Sequence, residues 1–444
     1  MKTAIVLFCD DFRTKDNPAL YYACQKYDNI IPVFIYNENY LGRKIGSAAK
    51  VFLHNVLIGF NNLLGGKLVI KQGDIIKELA DITNKKQIDA IYFNKSFSAQ
   101  QMELEKNIGI IFANLDIGIF NGKVLFEPEK IKTGAGSYFR VFTPFSKECL
   151  KNKDLIGESL PDPIINSVHT IDSLSVYDLE LLPQKDWHID LIKNWSFDYD
   201  KIKSNFLDFV NNKMDFYNEN RNIPASNGST NLSPYLRFGV MSPRFCFNIA
   251  FFREQSPNQF ILEILWREFA YHVAFFNHNI STKELRPEYA NFKWDNNQIL
   301  LEKWQQGKTG FDFVDSGMIE MYKTGVMHGR TRMVVASFLI KDLLIDWRKG
   351  EEWFWDCLID ADYCINPFSW QWVFGSGFDS APYFRIFNPE SQKEKFDPNN
   401  TYCAKWLNKK NDQIVDHSTQ RDIALHRYKS ILAKDIACDN SPNN

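Results

Sequence analysis

The residue types that cost most to bury gather in one stretch, residues 325–389, GVMHGRTRMVVASFLIKDLLIDWRKGEEWFWDCLIDADYCINPFSWQWVFGSGFDSAPYFRIFNP. The runs VVASFLI and LLI are apolar enough to lie inside a core. Threaded among them are Arg330, Arg332, Asp342, Asp346, Asp360, Asp362, Asn366 and Arg385. A buried charge costs several kcal/mol unless it is paired or hydrogen-bonded. Trp347, Trp353, Trp355, Trp370 and Trp372 share the stretch. The combination predicts a helical core built around a large, polar, planar ligand. Asp360 and Asp362 repel unless donors meet them, from Arg330 or Arg332 or from a ligand's ring N–H and hydroxyl groups. A purely structural Arg–Asp network gives the same pattern.

Two other constellations precede it. In FILEILWREFAYHV, Glu263, Trp266 and Arg267 stand at i, i+3 and i+4, so one helix face shows a carboxylate, an indole and a guanidinium. That set suits stacking on a nucleobase whose polar edge is hydrogen-bonded; a core Trp beside a surface ion pair has the same spacing. In SNGSTNLSPYLRFGVMSPR, Ser229, Thr230 and Ser233 approach a helix start, where hydroxyls and free N–H groups suit a phosphate. Ordinary helix capping uses the same residues. His328 is read as a hydrogen-bonded core residue with no assigned role.

The elements that must position these groups fall into two classes. Residues 3–126 alternate β-type runs (TAIVLF, IIPVFIY, KLVIKQG, AIYFN) with helical ones (NPALYYACQKY, GSAAKVFLHNVLIGFNNLL, DIIKELADITNKK). Asn17 and Asp74 read as helix starts. The alternation predicts an α/β, Rossmann-like parallel sheet over residues 1–130, with a ligand crevice at its strand ends. Neither GxGxxG nor GxxxxGK[ST] occurs in it. Residues 131–199, rich in Asp, Ser, Pro and Leu, read as a connector between domains. From 200 to 444 β signals nearly vanish and a helical domain is expected, with one covering helix after 406 and a frayed tail, DNSPNN.

Length and composition bound the rest. A chain of 444 residues suits two domains. Net charge is −2, so the chain as a whole is no basic nucleic-acid binder, although a local basic face is allowed. Eight Cys show no CxxC pair, so no metal site is expected. The N-terminal apolar run is too short for a signal segment, and no apolar run reaches the ~18 residues of a membrane span. A cytoplasmic monomer with reduced thiols is the expectation.

The three constellations, in this order, resemble the photolyase/cryptochrome flavoprotein family. GSTNLSPYLRFGVMSPR, LWREF, KWQQGKTGFDFVDSGM, GRTRMVVASFLIKDLLIDWR, DAD, SWQW and DSAPYFRIFNP carry the likeness, with weaker echoes in FCDDFRTKDNPAL and YFRVFTPF. The resemblance implies a non-covalent FAD in the helical domain. Tyr217, Ser229, Thr230, Leu232 and Ser233 would hold its phosphate and ribitol region, Arg332, Asp360 and Asp362 its ring and ribose edges, and Asn366 would face N5. It also implies a flipped-out DNA lesion in a pocket of Glu263, Trp266, Met333 and Trp372, with Arg221, Arg267, Arg330 and Arg385 on the DNA. Trp370, Trp347 and Trp294 match the family's electron-transfer chain. The implied activity is light-driven splitting of cyclobutane pyrimidine dimers in UV-damaged DNA. Within the family the chain is most similar to class I enzymes, through Met333 and Gln371; a cryptochrome-type photoreceptor and a (6-4) photolyase are the alternatives. Two positions depart from the pattern. Gly329 replaces a common Asn beside Arg330, and Gln100 and Gln101 replace the Asn and Glu of members that carry a folate antenna. A second chromophore, folate or deazaflavin, is therefore of open identity.

Overall fold

Strand β1 (Thr3–Phe8) is apolar at every position after Thr3 and buried along its whole length, as a central strand covered on both faces must be. Around it lie β2 (Asn29–Tyr36), β3 (Val69–Gln72), β4 (Ala90–Asn94) and β5 (Asp116–Phe120). The sheet order is β3-β2-β1-β4-β5, and every pairing is parallel. The computed structural model describes residues 1–439 apart from Tyr40, Asn227 and Pro382. Most of the polar tail, 440–444, thus lies outside the described residues.

Four strands coincide with the β-type runs. β5 carried no legible signal, because its segment DIGIF is a half-exposed edge with Gly118 at its centre. Helices α1 (Pro18–Lys26), α2 (Ser47–Leu63), α3 (Ile75–Lys85) and α4 (Ala99–Ile111) connect the strands. Asn17 caps α1 by accepting from Leu20 N at 3.2 Å, and Asp74 caps α3 by accepting from Lys77 N at 2.9 Å.

The following segment holds α5 (Phe142–Lys151) and α6 (Trp187–Ile192) and otherwise runs irregularly. It is tied to the sheet through Ile30 N to Asn166 O at 2.8 Å and Leu174 N to Ile70 O at 2.9 Å. The helical half begins with α7 (Tyr199–Asn212), α8 (Tyr217–Asn220), α9 (Ser233–Arg237), α10 (Pro243–Glu254), α11 (Gln259–Phe276) and α12 (Gln298–Gln305). It continues with α13 (Asp312–Thr324), α14 (Gly329–Ser337), a π-helical turn (Phe338–Asp342), α15 (Trp347–Cys357) and α16 (Ile365–Phe374). Then come α17 (Pro389–Phe396), α18 (Thr401–Trp406) and α19 (His417–Asp439). Helix α11 packs against α5, α10 and α16, and α14 against α13 and α16.

A seam of buried charge joins the two halves. Arg13, 1% exposed, donates to Gly122 O at 2.7 Å and to Gly239 O at 2.9 Å. Arg237 pairs with Asp10 at 2.8 Å. Gly239 has φ +62°, and a Cβ there would sit 2.3 Å from Asp10 O, so only glycine permits this approach. Each charge has a partner, which is the condition for tolerating it at such depth.

Candidate active site

Helices α11, α14 and α16 converge, and the three constellations meet there. Asp360 is the hub of one wall. It accepts from Arg332 Nη2 at 3.0 Å through both carboxylate oxygens and from Ser233 Oγ at 2.6 Å. Arg332 is itself oriented by donating from Nε to Met327 O at 2.7 Å. Asp362 takes a separate set of donors. Tyr271 Oη reaches one oxygen at 2.6 Å, and Cys364 N and Ile365 N reach the other at 2.8 and 3.1 Å. The two carboxylates are thus satisfied by separate sets of donors.

Asn366, 8% exposed in the first turn of α16, donates from Nδ2 to Glu351 O at 3.1 Å and Glu351 Oε1 at 2.8 Å. Ser229 and Thr230 turn their hydroxyls onto the backbone two residues on, accepting from Asn231 N at 3.4 Å and Leu232 N at 3.3 Å. Their loop folds back on α8. A Cβ on Gly228 would come within 2.5 Å of Asn220 Cβ, and Ser226 Oγ donates to Asn220 O at 2.8 Å. Tyr217 opens α8, edge-on to Phe209 and Phe260, and Leu232 is buried beside Ser233.

The second wall is more open. Glu263 pairs with Arg221 at 2.6 Å, both about one-third exposed, and accepts from Gln259 Nε2 at 2.9 Å. Trp266 stacks on Phe142 with centroids 3.8 Å apart and planes 10° apart. Met333 follows Arg332 on α14 and is half-buried, as is Trp372, whose Nε1 donates to Asp379 O at 3.1 Å. Arg330 lies over Phe396 at 4.3 Å and bonds Asn222, not either aspartate. Arg385 is exposed beside Tyr383.

Arg267 is a correction. It is 9% exposed, bonds Glu268 Oε1 at 3.0 Å and Lys123 O at 2.9 Å, and lies over Tyr271 at 4.6 Å. Its guanidinium belongs to the seam between the halves and presents nothing to a phosphate. The i, i+4 spacing put it on the face of Glu263, but a face over 100° wide also includes positions that turn into the core. Gln371 is likewise committed: fully buried, it bonds Ile280 O, Lys283 O, Leu285 N and Ser376 Oγ, so it carries no weight in lesion specificity.

The three tryptophans of the sequence pattern lie at different depths. Trp370 and Trp347 are 2% and 0% exposed, whereas Trp294 is half-buried. Trp370 packs on Gly350, where a Cβ would come within 2.2 Å of its ring, and Trp347 lies one turn earlier on α15. Residues 294–296 run beside 344–346 through Asp295 N to Leu344 O at 2.8 Å and Asp346 N to Asn296 Oδ1 at 3.0 Å.

Burial lowers the His328 imidazole to about 4, with Arg332, Arg330 and Arg221 adding to the effect. The ring is therefore neutral at pH 7, and its Nδ1 accepts from Arg330 N at 3.2 Å, capping α14. Gly329 meets nothing within 4 Å of a built Cβ, so no steric demand for glycine exists there. Several site residues escaped sequence reasoning. Phe142 sits in the YFRVFTPF motif assigned to the connector, Tyr271 is one turn past Arg267, and Glu351 is on α15. None had a periodic signal that separated it from core.

The chain as a whole is similar to known proteins. Residues 4–164 fit the family model for DNA photolyase, and residues 260–413 fit that for the FAD binding domain of DNA photolyase. A deoxyribodipyrimidine photo-lyase from Agrobacterium fabrum is 34% identical over 427 residues, covering 92% of this chain and 88% of its own. This chain belongs to the DNA photolyase family. The crystal structure of a class III photolyase from Agrobacterium tumefaciens superposes with a TM-score of 0.92 at 32% identity, over 98% of each chain. A Synechocystis cryptochrome superposes with a TM-score of 0.85 at 26% identity, over 97% of this chain and 99% of its own. The chain is thus a photolyase-family flavoprotein whose helical half carries the FAD-binding domain. No helix among the described residues is long and apolar enough to cross a membrane.

Proposed function

We propose that this chain splits cyclobutane pyrimidine dimers in UV-damaged DNA. The observation that carries this reading is the juxtaposition of a densely hydrogen-bonded polar wall with an open, aromatic one. The donor set of the first wall fits FAD. Arg332 and Asp360 form one connected group for ring and ribose edges, with Asp362 fixed beside it, and Ser233 links that group to the phosphate and ribitol loop. Tyr217, Ser229, Thr230 and Leu232 line the adjoining loop, where hydroxyls and backbone N–H groups suit a diphosphate and ribitol. The Asn366 Nδ2 is spent on Glu351, so its Oδ1 is the atom left to accept from N5–H. Bound FAD, once reduced, supplies the light-driven electron that opens the cyclobutane ring.

On the second wall Trp266, braced by Phe142, and Trp372 form the apolar sides of a pocket for the flipped dimer, with Met333 between the walls. Glu263 accepts from a thymine N–H, and Arg221 holds its carboxylate in place. Arg330 and Arg385, with Arg221, supply the local positive face that a chain of net charge −2 needs to meet phosphates. Trp370, Trp347 and Trp294 carry electrons between the buried site and the surface. A second chromophore in the N-terminal half would meet amides: Gln101 is 3% exposed, and the Gln100 amide closes over Gly42.

The likeness to a cryptochrome favours one second reading, a blue-light photoreceptor on the same scaffold. Retention of Glu263, Trp266, Met333 and Trp372 speaks for repair, because signalling needs no lesion pocket. The deciding experiment is blue-light repair of a thymine-dimer oligonucleotide by the reduced protein, with a (6-4) oligonucleotide in parallel. Repair of the dimer alone is expected. No repair of either, with FAD bound and photoreduction efficient, leaves the photoreceptor.

A further inference from the structure

A line of polar contacts begins in the polar wall and ends in the other half of the molecule. Asn366 Nδ2 meets the Glu351 carboxylate, and both oxygens of that carboxylate accept from Arg43 Nη1, at 2.9 and 3.0 Å. Arg43 lies in the loop after β2, and its guanidinium stacks on Trp355 at 4.0 Å. Glu351 is 3% exposed. The loop is sewn to α15 at three further points. Trp355 Nε1 donates to Lys44 O at 2.8 Å, Ser47 bonds Asp356 through N at 2.9 Å and Oγ at 2.7 Å, and Gly46 approaches Trp355 O so closely that a Cβ would lie 2.0 Å away. An arginine fixed at both its stem and its face presents a preorganised charge.

The amide orientation follows from its partners. A backbone carbonyl and a carboxylate only accept, so the Asn366 atom facing them is nitrogen. Among the described residues no donor reaches its Oδ1. We propose that Arg43 is a positioning residue for the cofactor site: by keeping Glu351 anionic, it holds the Asn366 amide with Oδ1 free to accept a hydrogen bond from flavin N5–H. Burial raises the Glu351 pKa and Arg43 opposes that rise; the nearby Glu352 adds to it. Without Arg43 the carboxyl takes up a proton and can donate to the amide oxygen. The amide then turns its NH₂ toward N5, which favours an unprotonated nitrogen. A residue of the N-terminal half would thereby tune proton affinity at the reacting ring.

This inference rests on the flavin reading above, and the experiment separates the two. FAD-loaded wild type, Arg43→Gln, Arg43→Lys, Glu351→Gln and Ser47→Ala are illuminated, and the visible absorption that reports a proton on N5 is recorded beside FAD retention. Arg43→Gln and Glu351→Gln are expected to lose the N5-protonated band while retaining FAD, and the double variant to add nothing further. Arg43→Lys should restore part of the band, because its charge remains. Ser47→Ala loosens the same interface without touching the charge and should leave the spectrum unchanged. An undiminished band in both Arg43→Gln and Glu351→Gln overturns the proposal while leaving the flavin reading intact. Equal loss in Ser47→Ala overturns it in favour of simple interface integrity. Wild type that retains no FAD overturns both.

Discussion

The two walls of the site differ in how completely they are finished without ligand. On the side proposed for the cofactor, Asp360, Asp362 and Asn366 each make two or more hydrogen bonds to the protein. On the side proposed for the lesion, Glu263 and Arg221 remain about one-third exposed, Met333 and Trp372 are half-buried, and Arg385 is open to solvent. A cofactor bound for the life of the protein repays a rigid, preorganised cradle. A transient ligand, as proposed for the second wall, must displace water at every encounter, so solvated charges that form loose pairs suit it better.

Four substitutions break or sharpen that contrast. Trp370→Phe should abolish photoreduction of oxidised FAD while sparing repair by pre-reduced protein, because it removes one indole of the proposed relay and keeps an aromatic ring in the core; transient absorption with parallel repair assays reads both. Arg267→Ala should cost about 3–5 kcal/mol of stability by stranding Glu268, which burial already raises to about 7; denaturant unfolding measures it. Unchanged stability with a weaker salt dependence of DNA binding would return Arg267 to the lesion wall. Glu263→Ala should weaken binding of a dimer-containing oligonucleotide by roughly the 1.5–3 kcal/mol of a charged hydrogen bond, with FAD content unchanged. Loss of flavin on purification would put Glu263 in the wrong wall. Arg385→Ala should have the smallest effect, lowering the salt slope of DNA binding by about 1 without altering the preference for the lesion.

Much of the fold was legible because it rests on local signals. Uniformly apolar strands, the Asn17 and Asp74 caps and the loss of β pattern after residue 200 each have a short-range cause. Strand β5 was not legible, since an edge strand needs no apolar face. The site was legible as three constellations, but the pairing among them was not. Arg332 rather than Arg330 meets Asp360, and Asp362 takes Tyr271 instead of an arginine. Both arginines lie on one helix within two residues of each other, and no spacing rule tells which reaches a loop some thirty residues away.

From its own order of residues this chain determined which chemistry was available: carboxylates, amide, guanidinium and indoles in a helical core large enough to bury them. Tertiary structure decided which of them face a ligand. Arg267 shares a helix turn with Glu263 yet bonds Lys123 O across the domain seam, and Arg43 reaches Glu351 from 308 residues away. The physical reason is that burying a charge is decided by its partner, and those partners lie on elements that only folding brings together.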